Sequence, residues 1–302
     1  MTAVERALER ARSASSEGRL LCIVGPTGSG KTDLALEIGA ALNGEVVSAD
    51  SVQVYRGFDI GSGKPTAEEM ARVRHHLVGT LDPFDPIDAA SWAKLADEAI
   101  RDIRARGKLP IVCGGTYFWV RALVLGLVNV PAADPQIRAR HRAIAEERGR
   151  PALHDELVRV DPISASRLHP NDVVRVSRAL EVYELSGRTM ADWHADHAFK
   201  ERRFEVTTLA LAWTPEQLTA RIDKRVAGML EAGWIDETRA LVEAGYRHAR
   251  AMGAVGYAEV SAHLEGKLSR DELKPQIVSA TRIFARRQRT WLNHVDVEWL
   301  TP

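Results

Sequence analysis

The sequence predicts an α/β protein in which a parallel sheet flanked by helices is interrupted by an all-helical insertion. Three observations carry this. Short apolar runs at 20–25 (LLCIVG), 45–50 (EVVSAD) and 109–115 (LPIVCGG) alternate with helical patterns. The first run leads directly into a glycine-rich loop, GPTGSGKT, that opens a helix. From 123 to 203 every pattern is helical and no strand is evident.

Taken in order, residues 1–19 form a charged, alanine-rich N-terminal extension. LLCIVG reads as a buried strand, and KTDLALEIGAALNG as a helix with apolar residues at Leu34, Ile38 and Leu42 that stops at Asn43-Gly44. EVVSAD is a second strand. SWAKLADEAIRDIRARGK (91–108) is an amphipathic helix starting at a serine cap, and LPIVCGG is a third buried strand. These segments make the first part of the core, 20–122. The insertion, 123–203, has helix-start signals at Asp134 and Asn171. The second part of the core, 204–302, begins with the β-rich RFEVTTLALAW (203–213). Helices follow near 215–231, 234–246 and 270–292, and VDVEWL (295–300) is a candidate last strand. In a parallel sheet, ligands collect at the carboxyl ends of the strands. Three loops should therefore converge: Gly25–Thr32, Asp50–Arg56 and Gly114–Trp119.

At 302 residues and 45% hydrophobic, the chain can bury a large core. Lys+Arg and Asp+Glu are each 41, so the total charge does not announce a nucleic-acid binder, although a local patch would suffice. Two cysteines, Cys22 and Cys113, sit in apolar runs and suit neither a disulfide framework nor a cysteine-rich zinc site. His75-His76 has no cysteine or acid at metal spacing and reads as a hydrogen-bonding pair. No signal peptide or membrane span is expected, which points to the cytoplasm.

GPTGSGKT, from Gly25 through Pro26, Thr27, Gly28, Ser29, Gly30 and Lys31 to Thr32, matches a phosphate-binding P-loop in its required strand–loop–helix context. Backbone N–H groups curl around an anion, the helix start adds partial positive charge, Lys31 adds a full charge, and Thr32 suits Mg²⁺. An ATPase usually adds an acid at the end of a buried strand. LPIVCGG has none. Asp50, at the end of the second strand, should emerge beside the loop. There a carboxylate can hold Mg²⁺ through water or accept a proton from a nucleophile; it can also simply cap the next segment. Ser51 and Gln53 add polar groups able to read a ligand's edge.

GPTGSGKT, SADSVQVYRGFDIGSGKP, HHL, GGT, HPNDVVRVSRALEVYELSG, AVGY and TRIFARRQRTWL, in this order across about 20–300, resemble the tRNA dimethylallyltransferase family. The resemblance implies a P-loop NTPase-like core and transfer of a dimethylallyl group from its diphosphate to N6 of adenine 37 in tRNAs reading codons that start with U. By that resemblance the loop cradles a leaving diphosphate, and Asp50 is the general base on the N6 amine. Asp50, Ser51, Val52 and Gln53 meet the extruded base, Thr116 of GGT lies near substrate, and Arg221 joins Lys31 on the diphosphate. Mg²⁺ is the implied cofactor, and a monomer suffices. The tRNA surface would draw on Arg138, on Arg175 and Arg178 three apart on one helix face, and on Arg282, Arg286 and Arg289 at i, i+4, i+7. Each has a plainer reading. Arg221 can be a solvated surface arginine, Glu181 can pair with Arg178, and the C-terminal stripe can be an ordinary charged face.

The chain departs from the family pattern after GGT, where Tyr117-Phe118-Trp119 is bulkier than usual and either reshapes the channel or repacks the helix. Three rivals stand beside this reading. A small-molecule kinase would share the loop but need the missing acid. A prenyltransferase acting on free adenine nucleotide would share Asp50 and the loop but need little of a large helical insertion or basic stripes. An RNA-binding module with a vestigial loop would not need Lys31, Thr32 and Asp50 intact.

Overall fold

The computed structural model describes residues 2–197, 202–293 and 295–302. Along the chain the elements are α1 (Ala3–Ser16), β1 (Leu20–Val24), α2 (Lys31–Ala41), β2 (Gly44–Ser48), α3 (Ala67–Arg72), β3 (His75–His76), α4 (Ala89–Ala105), β4 (Leu109–Gly114) and α5 (Tyr117–Leu125). Then come α6 (Pro135–Glu147), α7 (Arg150–Val160), α8 (Pro162–Ala165), α9 (Val173–Ser186) and α10 (Met190–His197). The chain closes with β5 (Val206–Leu211), α11 (Pro215–Glu231), α12 (Trp234–Glu243), α13 (Tyr257–Leu264), α14 (Arg270–Leu292) and β6 (Glu298–Leu300). It divides into two compact units, Met1–Val124 with Arg203–Pro302, and Leu125–Arg202. Residues 198–201 of the insertion lie outside the described residues.

The first unit is built on a six-stranded sheet of order β3-β2-β4-β1-β5-β6, parallel at every pairing. β1, β2 and β4 are buried along their whole length, which is why they read as unbroken apolar runs rather than alternating ones. The extension forms α1, capped by Thr2 and Glu5 in a reciprocal box. Its buried stripe is Ala3, Ala7, Ala11 and Ala14, and it packs on α2 and on β1 and β5. Small side chains let it lie close, and with the partly buried Leu8 packed beside them the segment joins the core. The second unit packs Leu153, Leu157, Val176 and Leu180 into a core of its own.

Several boundaries move from where the sequence placed them. α4 starts at Ala89 rather than at Ser91, because Asp88 is the N-cap and accepts the Ser91 N–H at 2.8 Å, while Ser91 Oγ accepts the Asp88 N–H at 3.0 Å. α9 is capped by Asp172, not Asn171. The loop expected over Gly114–Trp119 is shorter, since α5 already begins at Tyr117. His75-His76 is a short edge strand that pairs with Val46 and Val47.

His76 also explains a buried acid. Glu45, on β2 and 1% exposed, accepts from Arg106 Nη2 at 2.7 Å and Lys108 Nζ at 2.8 Å, and lies 2.7 Å from His76 Nε2. Arg106 in particular holds its carboxyl far below the usual carboxylate range. Glu45→Gln should lower unfolding stability at pH 7 by about 1–3 kcal/mol, read by denaturant titration. A depressed folded-state pKa stabilises above the unfolded-state value near ~4.3 and loses that contribution as pH falls toward the folded one. The gap between variant and wild type should therefore close progressively below about pH 4; a gap that stays constant into acid would remove Glu45 from this role.

Candidate active site

The carboxyl ends of β1, β2 and β4 open into a cleft of about 1020 Å³, lined by the glycine-rich loop, the Asp50 turn, Thr116 and residues of α11 and α14. That volume is at the upper end for small-ligand sites.

The loop between β1 and α2 uses left-handed backbone at Gly28 (φ 84°) and Gly30 (φ 88°), conformations that side chains with a Cβ resist. Gly30 is also the N-cap of α2 and has no side chain to occupy the first N–H groups of that helix. Ser29 is fully buried, and Trp213 Nε1 donates to its carbonyl at 2.7 Å, which pins the crest of the loop. Lys31 arches back, with Nζ 3.4 Å from the Pro26 carbonyl. Burial pushes its ammonium down from the ordinary amine range, and the Asp50 carboxylate is among the charges that oppose this. An anion entering the loop would restore the favoured charged form.

Arg221 is not a solvated surface residue. Its Nε donates to the Gly28 carbonyl at 2.8 Å, and its guanidinium lies 4.4 Å from the centre of the Trp213 ring. The arginine is thus held against the phosphate loop by a carbonyl and an indole. Arg225, one turn along α11, also lines the cleft, and its charge acts on Asp50 and Asp33. Lys224 and Arg250 add further positive charge to the lining. The sequence reading passed over these three, although the i, i+4 spacing of Arg221 and Arg225 was a usable signal.

Asp50 and Thr116 meet because β2 and β4 approach closely. Ala49 donates to the Cys113 carbonyl at 2.8 Å and accepts from Thr116 N–H at 3.0 Å. Thr116 Oγ1 then accepts the Ser51 N–H at 3.2 Å. Asp50 Oδ1 accepts the N–H groups of Val52 at 2.9 Å and Gln53 at 3.2 Å, so the capping role is real and occupies one oxygen. Among the described residues nothing donates to Oδ2. Gln53 spends its amide donors on the Ser62 and Gly63 carbonyls, at 3.3 and 3.0 Å, so it stiffens the turn it belongs to. The 59–61 segment is in turn held by Glu237, whose carboxylate accepts N–H groups from Asp59, Ile60 and Gly61 at 2.6–3.1 Å and the Tyr257 hydroxyl at 2.7 Å. No local sequence pattern announces Glu237.

The aromatic departure resolves into parts. Trp119 is buried and stacks on Trp92, with centroids 5.3 Å apart, and Phe118 is half exposed; both line the cleft. Thr32 lines the cleft as well. No cluster of three or more metal-ligating side chains occurs among the described residues.

The predicted RNA contacts divide. On α14, Arg282, Arg286 and Arg289 are exposed beside the exposed Ile283, Phe284 and Trp291. Arg282 and Arg286 have no ionic partner among the described residues, and Arg289 reaches the Trp213 carbonyl at 3.4 Å. In the second unit, Arg138 binds the buried Glu181 through two bonds of 3.0 and 3.1 Å, and Arg178 pairs with the same carboxylate and with the Pro131 carbonyl at 2.7 Å. Burial would raise the Glu181 pKa, but the two arginines hold it below the ordinary range. Arg175 is exposed and pairs with Asp172 at 3.3 Å.

The IPP transferase family model matches residues 53–295, and the isopentenyl transferase model matches 18–80. A tRNA dimethylallyltransferase of Sorangium cellulosum is 60% identical over 94% of this chain and 90% of its own, and one of Geobacter sulfurreducens is 43% identical over 92% and 90%. A solved tRNA isopentenylpyrophosphate transferase of Bacillus halodurans superposes with a TM-score of 0.69 at 37% identity, covering 94% of this chain and 89% of that one. A eukaryotic dimethylallyltransferase acting on tRNA gives 0.79 at 28% identity, covering 93% and 73%. With a phosphate loop, an aspartate turn and a bound arginine in one cleft, and with similarity running nearly end to end, this chain belongs to the tRNA dimethylallyltransferase family.

Proposed function

We propose that the protein transfers a dimethylallyl group from dimethylallyl diphosphate to N6 of adenine 37 in tRNAs reading codons that start with U, releasing diphosphate. The observation that carries this reading is the placement of Asp50 beside a phosphate loop whose cations, Lys31 and Arg221, are already oriented. In the transfer, the bond from the allylic carbon to the diphosphate oxygen breaks and its electron pair leaves with the diphosphate. The N6 lone pair forms the new carbon–nitrogen bond, and an N6 proton passes to the Asp50 carboxylate. Lys31, Arg221 and the loop N–H groups oppose the charge that grows on the leaving group, and they do so from fixed positions. Thr116 keeps the Asp50 turn in place through Ser51.

The donor set suits Mg²⁺ held mainly by diphosphate oxygens and water, with the Thr32 hydroxyl and the Asp50 carboxylate at hand rather than an all-protein cage. When bound, it would neutralise part of the leaving group's charge. The exposed arginines of α14 supply a phosphate-contacting face for the anticodon stem-loop. The acceptor adenine must leave its stack to reach Asp50. No helix among the described residues is long and apolar enough to cross a membrane. We further propose that the protein works in the cytoplasm as a monomer. A kinase reading loses ground because β4 ends in Gly114-Gly115 with no acid.

Purified protein, Mg²⁺ and labelled dimethylallyl diphosphate, offered either unmodified tRNA or AMP, should place label on N6 of the adenine next to the anticodon and leave AMP untouched. Label on AMP alone would reassign the acceptor to free nucleotides. Asp50→Ala should cut transfer by about a hundredfold or more while tRNA binding stays within about twofold; undiminished transfer would take the base role away from Asp50. Arg221→Ala should raise KM for dimethylallyl diphosphate by roughly tenfold or more. Arg286→Ala should weaken tRNA binding and reduce the slope of log K against log salt by about 0.7–0.9. An unchanged slope would make that face ordinary surface.

A further inference from the structure

One side chain ties the RNA-facing helix to the phosphate loop. Gln288, on α14, accepts the Thr27 N–H through Oε1 at 2.9 Å and donates through Nε2 to the Gly115 carbonyl, also at 2.9 Å. The amide orientation is dictated by its partners, since an N–H needs an acceptor and a carbonyl needs a donor, so the reversed rotamer would lose both bonds. Thr27 belongs to the loop that follows β1, and Gly115 to the turn that follows β4. A Cβ on Gly115 would lie 2.5 Å from Gln288 Nε2, so the turn has given up side-chain space to admit this amide. Thr27 lines the cleft, and Gly115 adjoins Thr116, which lines it as well. Gln288 lines that cleft but belongs to neither motif.

We propose that Gln288 is a positioning residue for the diphosphate. It holds the lip of the phosphate loop at a set distance from the Gly114–Thr116 turn, so that the loop N–H groups and Lys31 are already in place when the substrate arrives. The proposal rests on the reading of the loop as a diphosphate site. Preorganisation of this kind acts on binding of the anion and not on proton transfer at N6, because Gln288 touches neither Asp50 nor Thr116 among the contacts described. Its effect should therefore fall on the KM for dimethylallyl diphosphate and leave the KM for tRNA in place.

The test uses inorganic pyrophosphate as a probe for binding, alongside steady-state transfer. Gln288→Met keeps most of the volume and removes both hydrogen bonds. Pyrophosphate Kd and the KM for dimethylallyl diphosphate should each rise about tenfold, with kcat within about threefold and the KM for tRNA within about twofold. Gln288→Glu keeps an acceptor for Thr27 but sets a second oxygen against the Gly115 carbonyl and brings a negative charge to the loop, so it should bind pyrophosphate more weakly than Gln288→Met. Gln288→Asn, one methylene short of spanning both partners, should behave like Gln288→Met and serves if that variant folds poorly. A lowered melting temperature with unchanged pyrophosphate Kd would reduce Gln288 to a structural tie and overturn the proposal, as would a Glu variant that binds like wild type. Wild-type protein that binds no pyrophosphate would instead bring down the reading of the loop, and the proposal with it.

Discussion

A side chain on Gly114 would collide with the carbonyl of Ala49, and that absence of room is what lets the ends of β2 and β4 come together. The consequences follow one from another. With the strands this close, Ala49 can accept the Thr116 N–H, Thr116 can accept the Ser51 N–H, and the Asp50 turn closes over the gap. Asp50 then stands where the phosphate loop opens. A larger residue at 114 would have to push apart two backbones, a far costlier adjustment than swinging a side chain. The aspartate, the hydroxyl and the loop share a cleft because two strands share a narrow gap.

Electrostatics completes the arrangement by holding charge where water would otherwise screen it. Arg221 spends its Nε on a loop carbonyl and rests on an indole, so its side chain keeps little freedom. Lys31 is held, by burial, in a less favourable environment for its charge. Glu237 works on the far wall. By taking three successive N–H groups it orders the segment on which Gln53 leans, and Gln53 braces the Asp50 turn. In the second unit the same economy puts Arg138 and Arg178 on one buried carboxylate. Their first task there is to compensate Glu181, and removing either would leave that charge under-paired.

Much of the architecture was legible because local physics sets it. Fully buried parallel strands show as apolar runs, and a glycine-rich turn between strand and helix shows as a motif. The misplacements are instructive. The start of α4 was set too late because Ser91 is a good capping residue in general, but here it is the third helical residue of a box capped by Asp88. The extension falls outside the predicted core ranges because an alanine stripe has a weak hydrophobic signal, yet its small residues pack closely enough to bury. Within the cleft, Lys31, Thr32 and Asp50 were singled out from their motifs, and Thr116 and Arg221 from a resemblance. Gln288, Glu237 and Arg250 were not visible, since their partners lie 163 to 261 residues away along the chain, apart from Tyr257, which is 20 residues from Glu237.

The amino-acid sequence by itself determined the strand–loop–helix cradle, the aspartate after the second strand, the helical insertion and the arginine spacing on the last helix. Each is encoded within a few residues, by φ preference, burial pattern or helical period. Tertiary structure alone decided which charges are free to act. It set Arg221 on the phosphate loop, placed Arg138 and Arg178 on Glu181, buried Trp119 against Trp92 while leaving Phe118 half exposed, and laid Gln288 between Thr27 and Gly115. The reason is that a side chain's partner depends on what the fold brings within about 3 Å of it, and that distance has no counterpart along the chain.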